Sequence, residues 1–431
     1  MADFRPFVAL RYDPVVAGDA SALIAPPFDV VSPAERQALY ATSPFNVSHI
    51  DYGEQLPTDT AADSVYTRSR ARIEEWSRKG VLGRDGTPRL YVYDQVFALP
   101  GEMRRRRAVF GRLRLEEWEK GVILPHEHTG AGPKADRLSL LQNTRVNLSP
   151  IMALHRNDRG SPLVPEEALG APVLDAVMAG GERHTLRPVE PAAAARACEA
   201  LSTTKLYIAD GHHRYETALN YRNERREATP VWTGEEPENF VLAAIVDVSD
   251  PGLAILPTHR IIRPRRQPDD AVRRLDPYFE VEDMGALGDD VAVTRLLARL
   301  ADAASGGAAF GGGGLVEGRL HLLRAKDPAT LDALLPADHA PVWRRLDVNV
   351  LHHVALPAIG YEMTPDSIEF TEDYRRAVEA VRSGRWPLAF LMNATPIDQV
   401  LAVADAGELM PQKSTFFYPK LATGMVMYPL D

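Results

Sequence analysis

The run Leu206-Tyr207-Ile208-Ala209 is apolar and strand-like, and it stops abruptly at Asp210-Gly211-His212-His213-Arg214. An amphipathic, helix-like stretch follows through Leu219. A strand that ends in Asp-Gly and hands polar residues to a helix start makes an anion site. The first helical N–H groups have no partner there, and the macrodipole favours negative charge. Val122-Ile123-Leu124 repeats the arrangement, delivering Pro125-His126-Glu127-His128-Thr129 to a Pro-marked loop.

The rest of the chain alternates the two periods. Ala25-Pro26-Pro27-Phe28-Asp29 is extended, because consecutive prolines disfavour helix and cannot lie in a central ladder. Ser32, Pro33 and Glu35 then predict an N-cap, a first-turn proline and a capping box, which makes Glu35 structural. Asp29 reads equally as a carboxylate held for function or as a loop aspartate aiding that helix start. Residues 58–79 predict a helix with Ile73 and Trp76 inward. Residues 90–98 and 104–115 predict a hairpin turning at Pro100-Gly101. A polar loop carries Lys134, Asp136 and Arg137 before a short helix reaching Asn143. Residues 149–154 and 240–248 predict strands, 156–190 loops with short strands, and 191–201 an Ala-rich helix. Beyond residue 267 a helix over 289–303 and strands over 315–324 flank glycines 306–314, read as a flexible turn. Thr371 is the expected cap of a helix beginning with Glu372 and Asp373. Residues 387–392 predict a buried strand, and Met410-Pro411-Gln412-Lys413-Ser414-Thr415 a polar loop before an aromatic strand. The pattern predicts a mixed α/β fold, divided as 1–120, 121–265, 266–340 and 341–431.

Composition narrows the classes. The 431 residues carry 49 Lys+Arg against 59 Asp+Glu, a net charge of −10, which argues against a nucleic-acid coat. The run Arg104–Arg107 lies in a strand pattern and reads as a solvated face. The lone Cys198 excludes an intrachain disulfide framework or a thiolate metal cage, and it reads as core packing. The first residues lack the apolar core of a signal peptide, and no apolar run approaches a membrane span. The expected location is the cytoplasm. Composition leaves the oligomeric state open.

Two clusters, His126-Glu127-His128 and Asp210 with His212, His213 and Arg214, each fall where a predicted strand ends. In open α/β sheets ligands collect there. Together they hold two carboxylates, cationic donors and a helix start, the parts phosphoryl transfer needs. Lys413 and Ser414 read as a phosphate contact or as a solvated edge. Imidazoles with Asp210 could instead hold Zn²⁺ for hydrolysis, although adjacent His212 and His213 diverge on a helix. The chain lacks the Walker spacing and the G-x-S-x-G elbow.

The stretches Ala25–Val30, Ala209–Ala218 and Met410–Thr415 resemble the family catalogued as domain of unknown function 1015. Asp210-Gly211-His212-His213-Arg214 also resembles the signature of the ParB/sulfiredoxin-like superfamily, most closely its free-serine kinases. Those kinases carry a Pro-His-Glu upstream, matched here by Pro125-His126-Glu127. The resemblance implies a ParB/sulfiredoxin-like catalytic core with large terminal elaborations. It implies a kinase acting on free L-serine, with Mg²⁺ and with ATP, ADP or pyrophosphate as donor. Glu127 would be the general base, and Asp210, His212, His213 and Arg214 would hold the phosphoryl group, with Asp210 orienting Mg²⁺ or sharing the base role. Asp29, His126, Lys134, Arg137, Gly211, Lys413 and Ser414 are second-rank contacts. Sulfiredoxins carry their reactive Cys where this chain has His212, which argues against sulfinic-acid reduction. The alternatives are a ParB-like nucleotide-binding regulator without phosphotransfer and a metal-dependent hydrolase.

Overall fold

The computed structural model describes residues 1–129, 131–157, 160–264, 270–362 and 364–431. The expected boundary at 265/266 and the glycine opening the loop after Thr129 lie outside them. The chain is mixed α/β and divides into two compact units. The first comprises Met1–Pro125, Thr129–Leu253 and Pro419–Asp431; the second comprises His126–His128 and Ala254–Tyr418.

The first unit is built on a nine-stranded sheet. Its order runs Ile123–Leu124, Leu206–Asp210, Ile151–His155, Phe240–Asp247, Glu102–Arg114, Tyr91–Leu99, Arg183–Pro188 and Leu174–Val177, with Phe4–Arg5 added beside Glu102–Arg114. The long central hairpin matches its sequence pattern. The strand Leu206–Asp210 pairs parallel with Ile123–Leu124 on one side and antiparallel with Ile151–His155 on the other. The register shifts between Ile208 and Asp210. Such an irregularity re-aims a side chain at the end of a strand. Helices Pro191–Leu201 and His212–Ala228 bury Ala197, Leu201, Tyr215 and Leu219 with Ile208 and Val241 in one core.

Several expectations change on this frame. The helix expected over 58–79 is Val65–Arg78, because Ser64 and Thr67 form the capping box that starts it. Lys134, Asp136 and Arg137 lie on a helix, Ala131–Thr144, rather than in a loop. That helix packs on His212–Ala228. Within Arg104–Arg107 the face is not uniformly solvated: Arg106 is 1% exposed and donates to Gln95 Oε1 at 2.6 Å. The last residues of the chain also belong to this unit. Ala25 and Thr423 exchange backbone hydrogen bonds, as do Leu10 and Met427.

The second unit holds a six-stranded antiparallel sheet in the order Phe279–Ala286, Arg319–Ala325, Ala309–Gly313, Leu388–Met392, His259–Ile262 and Ile368–Thr371. Of the glycines expected to form a flexible turn, Gly306, Gly307 and Gly314 lie in bends, but Gly311, Gly312 and Gly313 belong to the buried strand Ala309–Gly313. A Cβ on Gly312 would lie 2.6 Å from Leu315 Cδ1, and one on Gly311 3.0 Å from Leu296 Cδ2. Glycine is there for close packing. Thr371 ends a strand, and Asp373 is the cap of Tyr374–Arg382, accepting from Arg375 N at 2.8 Å. A separate ribbon pairs Ala254–Leu256 with Phe416–Tyr418.

Candidate functional site

In the first unit Asp210 is the last residue of its strand, and Gly211 caps the 17-residue helix His212–Ala228. Gly211 has φ +89°, and no side chain caps the helix. A Cβ at this position would come within 3.0 Å of Arg214 Nε. Glycine is required twice, for the left-handed backbone and for the approach of the guanidinium. His212 and His213 occupy the first helical turn, where N–H groups lack intrahelical acceptors.

Asp210 is held by two cations. Arg214 Nη2 donates to Oδ2 and Lys420 Nζ to Oδ1. Arg214 also donates to the Pro150 carbonyl. Burial pushes the Asp210 carboxyl up, but Lys420, Arg214 and His212 outweigh it and hold the group well below the usual carboxylate range. Burial works against the Lys420 charge, and Asp210 reverses the effect, raising its pKa. Both Asp210 oxygens are therefore engaged. Among the described residues no group of three or more His, Cys, Asp or Glu is placed to hold a metal ion. The cations and the uncapped helix start suit an anion.

Lys420 is the residue that sequence reasoning missed. Its backbone carbonyl accepts from Gln95 Nε2 at 2.9 Å, and the neighbouring Pro419 carbonyl accepts from Arg106. Asp29, exposed in the turn Phe28–Val30, bears electrostatically on Lys420 and on Asp51. Lys134 is ion-paired with Glu216, whose carboxylate also accepts from Thr129 Oγ1 at 2.8 Å. Arg137 is buried against Asp51 and Asp136.

In the second unit Glu127 forms a parallel bridge with Met410. Met410 N donates to the His126 carbonyl at 2.8 Å, and His128 N to the Met410 carbonyl at 3.2 Å. Buried His126 has Nε2 2.9 Å from Thr415 Oγ1. The Pro-His-Glu and Met-Pro-Gln-Lys-Ser-Thr stretches are thus brought together. Arg260, fully buried, donates to the Lys413 carbonyl at 3.2 Å. Burial pushes its guanidinium down to about 10, with Glu127 opposing the shift. Burial, with help from Arg260 and His353, drops His352 to about 3 and keeps it neutral. Arg260 and His352 carried no sequence signal beyond residue type. Lys413 is exposed with φ +58°, and the Ser414 hydroxyl donates to the Pro411 carbonyl at 2.6 Å. Ser414 thus has a structural bond in its own turn.

The fold is mixed α/β, with Asp210 and Gly211 at a strand-to-helix junction. The chain belongs to the family described as protein of unknown function DUF1015, whose model matches residues 4–349. No curated protein matches it. Among solved structures it is similar to a conserved hypothetical protein from Pyrococcus furiosus, at 14% identity and a TM-score of 0.34, over 73% of this chain and 92% of that one. It is similar to a variant of a free serine kinase in complex with ADP, at 13% identity and a TM-score of 0.35, over 72% of this chain and 87% of that one. A free serine kinase in complex with AMP gives 12% identity and a TM-score of 0.34, over 72% and 86%. Likenesses at this level assign no activity. No helix of the described residues is long and apolar enough to cross a membrane.

Proposed function

We propose that the chain is a cytoplasmic small-molecule kinase that phosphorylates the hydroxyl of free L-serine to O-phosphoserine, with ATP, ADP or pyrophosphate as donor. Residues 121–265 would form its ParB/sulfiredoxin-like core. One observation carries the reading. The Asp210–Arg214 junction combines a left-handed glycine, an uncapped helix start and cations on Asp210, an arrangement suited to a phosphoryl group. The Pro125-His126-Glu127 stretch supports it from the sequence side.

In the proposed reaction the bond from the terminal phosphorus to its bridging oxygen breaks, and a bond to the serine oxygen forms. Glu127 takes the hydroxyl proton. The N–H groups at the start of His212–Ala228, with Arg214 and His212, bind the transferring group. Asp210 acts as the fixed counter-charge that positions Arg214 and Lys420, and no step is routed through a metal on it.

The test is incubation of the full chain with L-serine and each donor in Mg²⁺ buffer, followed by mass spectrometry of O-phosphoserine. Product with at least one donor supports the reading. A chain that binds a donor without forming product is the regulatory alternative.

A further inference from the structure

A cavity of about 290 Å³ opens in the first unit beside the helix Pro33–Thr42. Phe28, Tyr52 and Tyr66 line it with aromatic surface, and Arg36, Asp51 and Arg137 with charge. Arg137 is already engaged. Its Nη1 donates to Asp51 Oδ1 at 3.0 Å and to the Asp51 carbonyl at 2.9 Å, and its Nε to Asp136 Oδ2 at 2.8 Å. Its guanidinium carbon lies 4.1 Å from the centre of the Phe28 ring. Tyr66 donates to the other Asp136 oxygen at 2.9 Å.

One atom of each polarity remains without a hydrogen bond: Asp51 Oδ2, on a side chain 2% exposed, and Arg36 Nε. Arg36 meets Glu54 only at 4.0 Å, beyond hydrogen-bond length. A buried polar atom left unsatisfied is costly, and more so when charged. Arg137 is shared between two carboxylates. The lining is therefore divided, negative at Asp51 and positive at Arg36. That is the complement of a small molecule bearing an ammonium and a carboxylate. The volume stands at the low end for ligand sites, and it suits such a molecule better than a nucleotide.

We propose that this cavity binds a small free α-amino acid, its ammonium on Asp51 Oδ2 and its carboxylate on Arg36. The site is separate from the Asp210 junction and requires no phosphotransfer. It is nonetheless connected to that junction. Asp51 and Arg137 also line a smaller cavity of about 50 Å³ together with Arg214, the partner of Asp210. Arg214 also acts electrostatically on Asp51.

The test is isothermal titration of the full chain, without nucleotide, using glycine, L-serine and L-glutamate alongside their N-acetyl and methyl-ester forms. At least one free amino acid is expected to bind with unit stoichiometry. Acetylation or esterification should each weaken binding about tenfold or more, the loss of one hydrogen bond to a charged group. Asp51→Asn and Arg36→Gln should each do the same, while Arg104→Gln, in the distant hairpin strand Glu102–Arg114, should leave the affinity unchanged. Arg36→Gln probes the rim without touching the buried Asp51–Arg137 pair, so the test survives a misfolded Asp51 variant. The proposal is overturned if no free amino acid binds more tightly than about 10 mM. It is equally overturned if binding occurs and Arg36→Gln does not weaken it. Assays of O-phosphoserine are read separately, so a failed kinase reading leaves this result standing.

Discussion

Lys420 Nζ is ion-paired with Asp210 Oδ1, although the two residues are 210 positions apart in the chain. Arg214, one helical turn from Asp210, holds the other oxygen. The carboxylate thus draws one cation from the helix that follows its strand and one from the far end of the sequence. Because Lys420 is only 14% exposed, the pair is shielded from solvent and its loss should be felt.

Lys420→Met removes one of these cations and leaves a buried carboxylate half-compensated. Breaking a buried pair from one side costs about 3–5 kcal/mol. Urea denaturation should show a loss toward the lower end of that range. The double variant with Asp210→Asn should lose less than the sum of the two single losses. Strict additivity would mean that the two side chains do not interact.

The pair also sets a pH window. Asp210 has a folded pKa below its unfolded value, so its contribution is complete above about pH 4 and disappears as pH falls through the folded value. Lys420 has a raised folded pKa, so its contribution is complete below about pH 10 and disappears as pH rises through the folded value. The stability difference between the natural chain and Asp210→Asn should be flat from about pH 5 to 9 and shrink on further acidification. A difference that grows on acidification would contradict this assignment.

Gly211→Ala should weaken donor binding. The substitution places a Cβ within 3.0 Å of Arg214 Nε at a φ of +89°. Left-handed backbone alone costs about 1–2 kcal/mol. Gly318→Ala is the control, because Gly318 has φ +68° but nothing within 4 Å of the added atom. Both variants should melt earlier, but only Gly211→Ala should weaken ADP or pyrophosphate binding measured by calorimetry.

Cys198 reads from the sequence as core packing. Burial pushes its thiol up to about 11, on the helix Pro191–Leu201. At pH 8 iodoacetamide should alkylate the native chain on the order of 100-fold more slowly than the chain in urea, following the thiolate fraction. Equal rates would place the thiol in solvent.

The Asp210 junction was legible because a period-2 apolar run ends on Asp-Gly and a helical period begins at once. The capping box of Ser32 and Glu35 was legible for the same local reason, and it is present. Lys420 was not legible. It lies beyond the short strand Phe416–Tyr418, and its position depends on Gln95 and Arg106 gripping its backbone from the central hairpin. Arg106 itself sat in a run of four arginines whose composition points to water. Gly311 and Gly312 mislead in another way: flexibility is read from composition, while Leu296 and Leu315 leave no room for side chains. For Lys420 and Arg106 a long-range contact decided the outcome, and local pattern does not carry it.

Phosphoryl transfer with Glu127 as the base is the step proposed for this chain. Its most direct measurement is transfer of labelled phosphate to L-serine by the natural chain and by Glu127→Gln, with donor affinity measured on both. The natural chain should yield labelled O-phosphoserine. Glu127→Gln should show a loss of about 10²-fold or more, with donor affinity unchanged. Full transfer by Glu127→Gln, or none by the natural chain with any of the three donors, would contradict it.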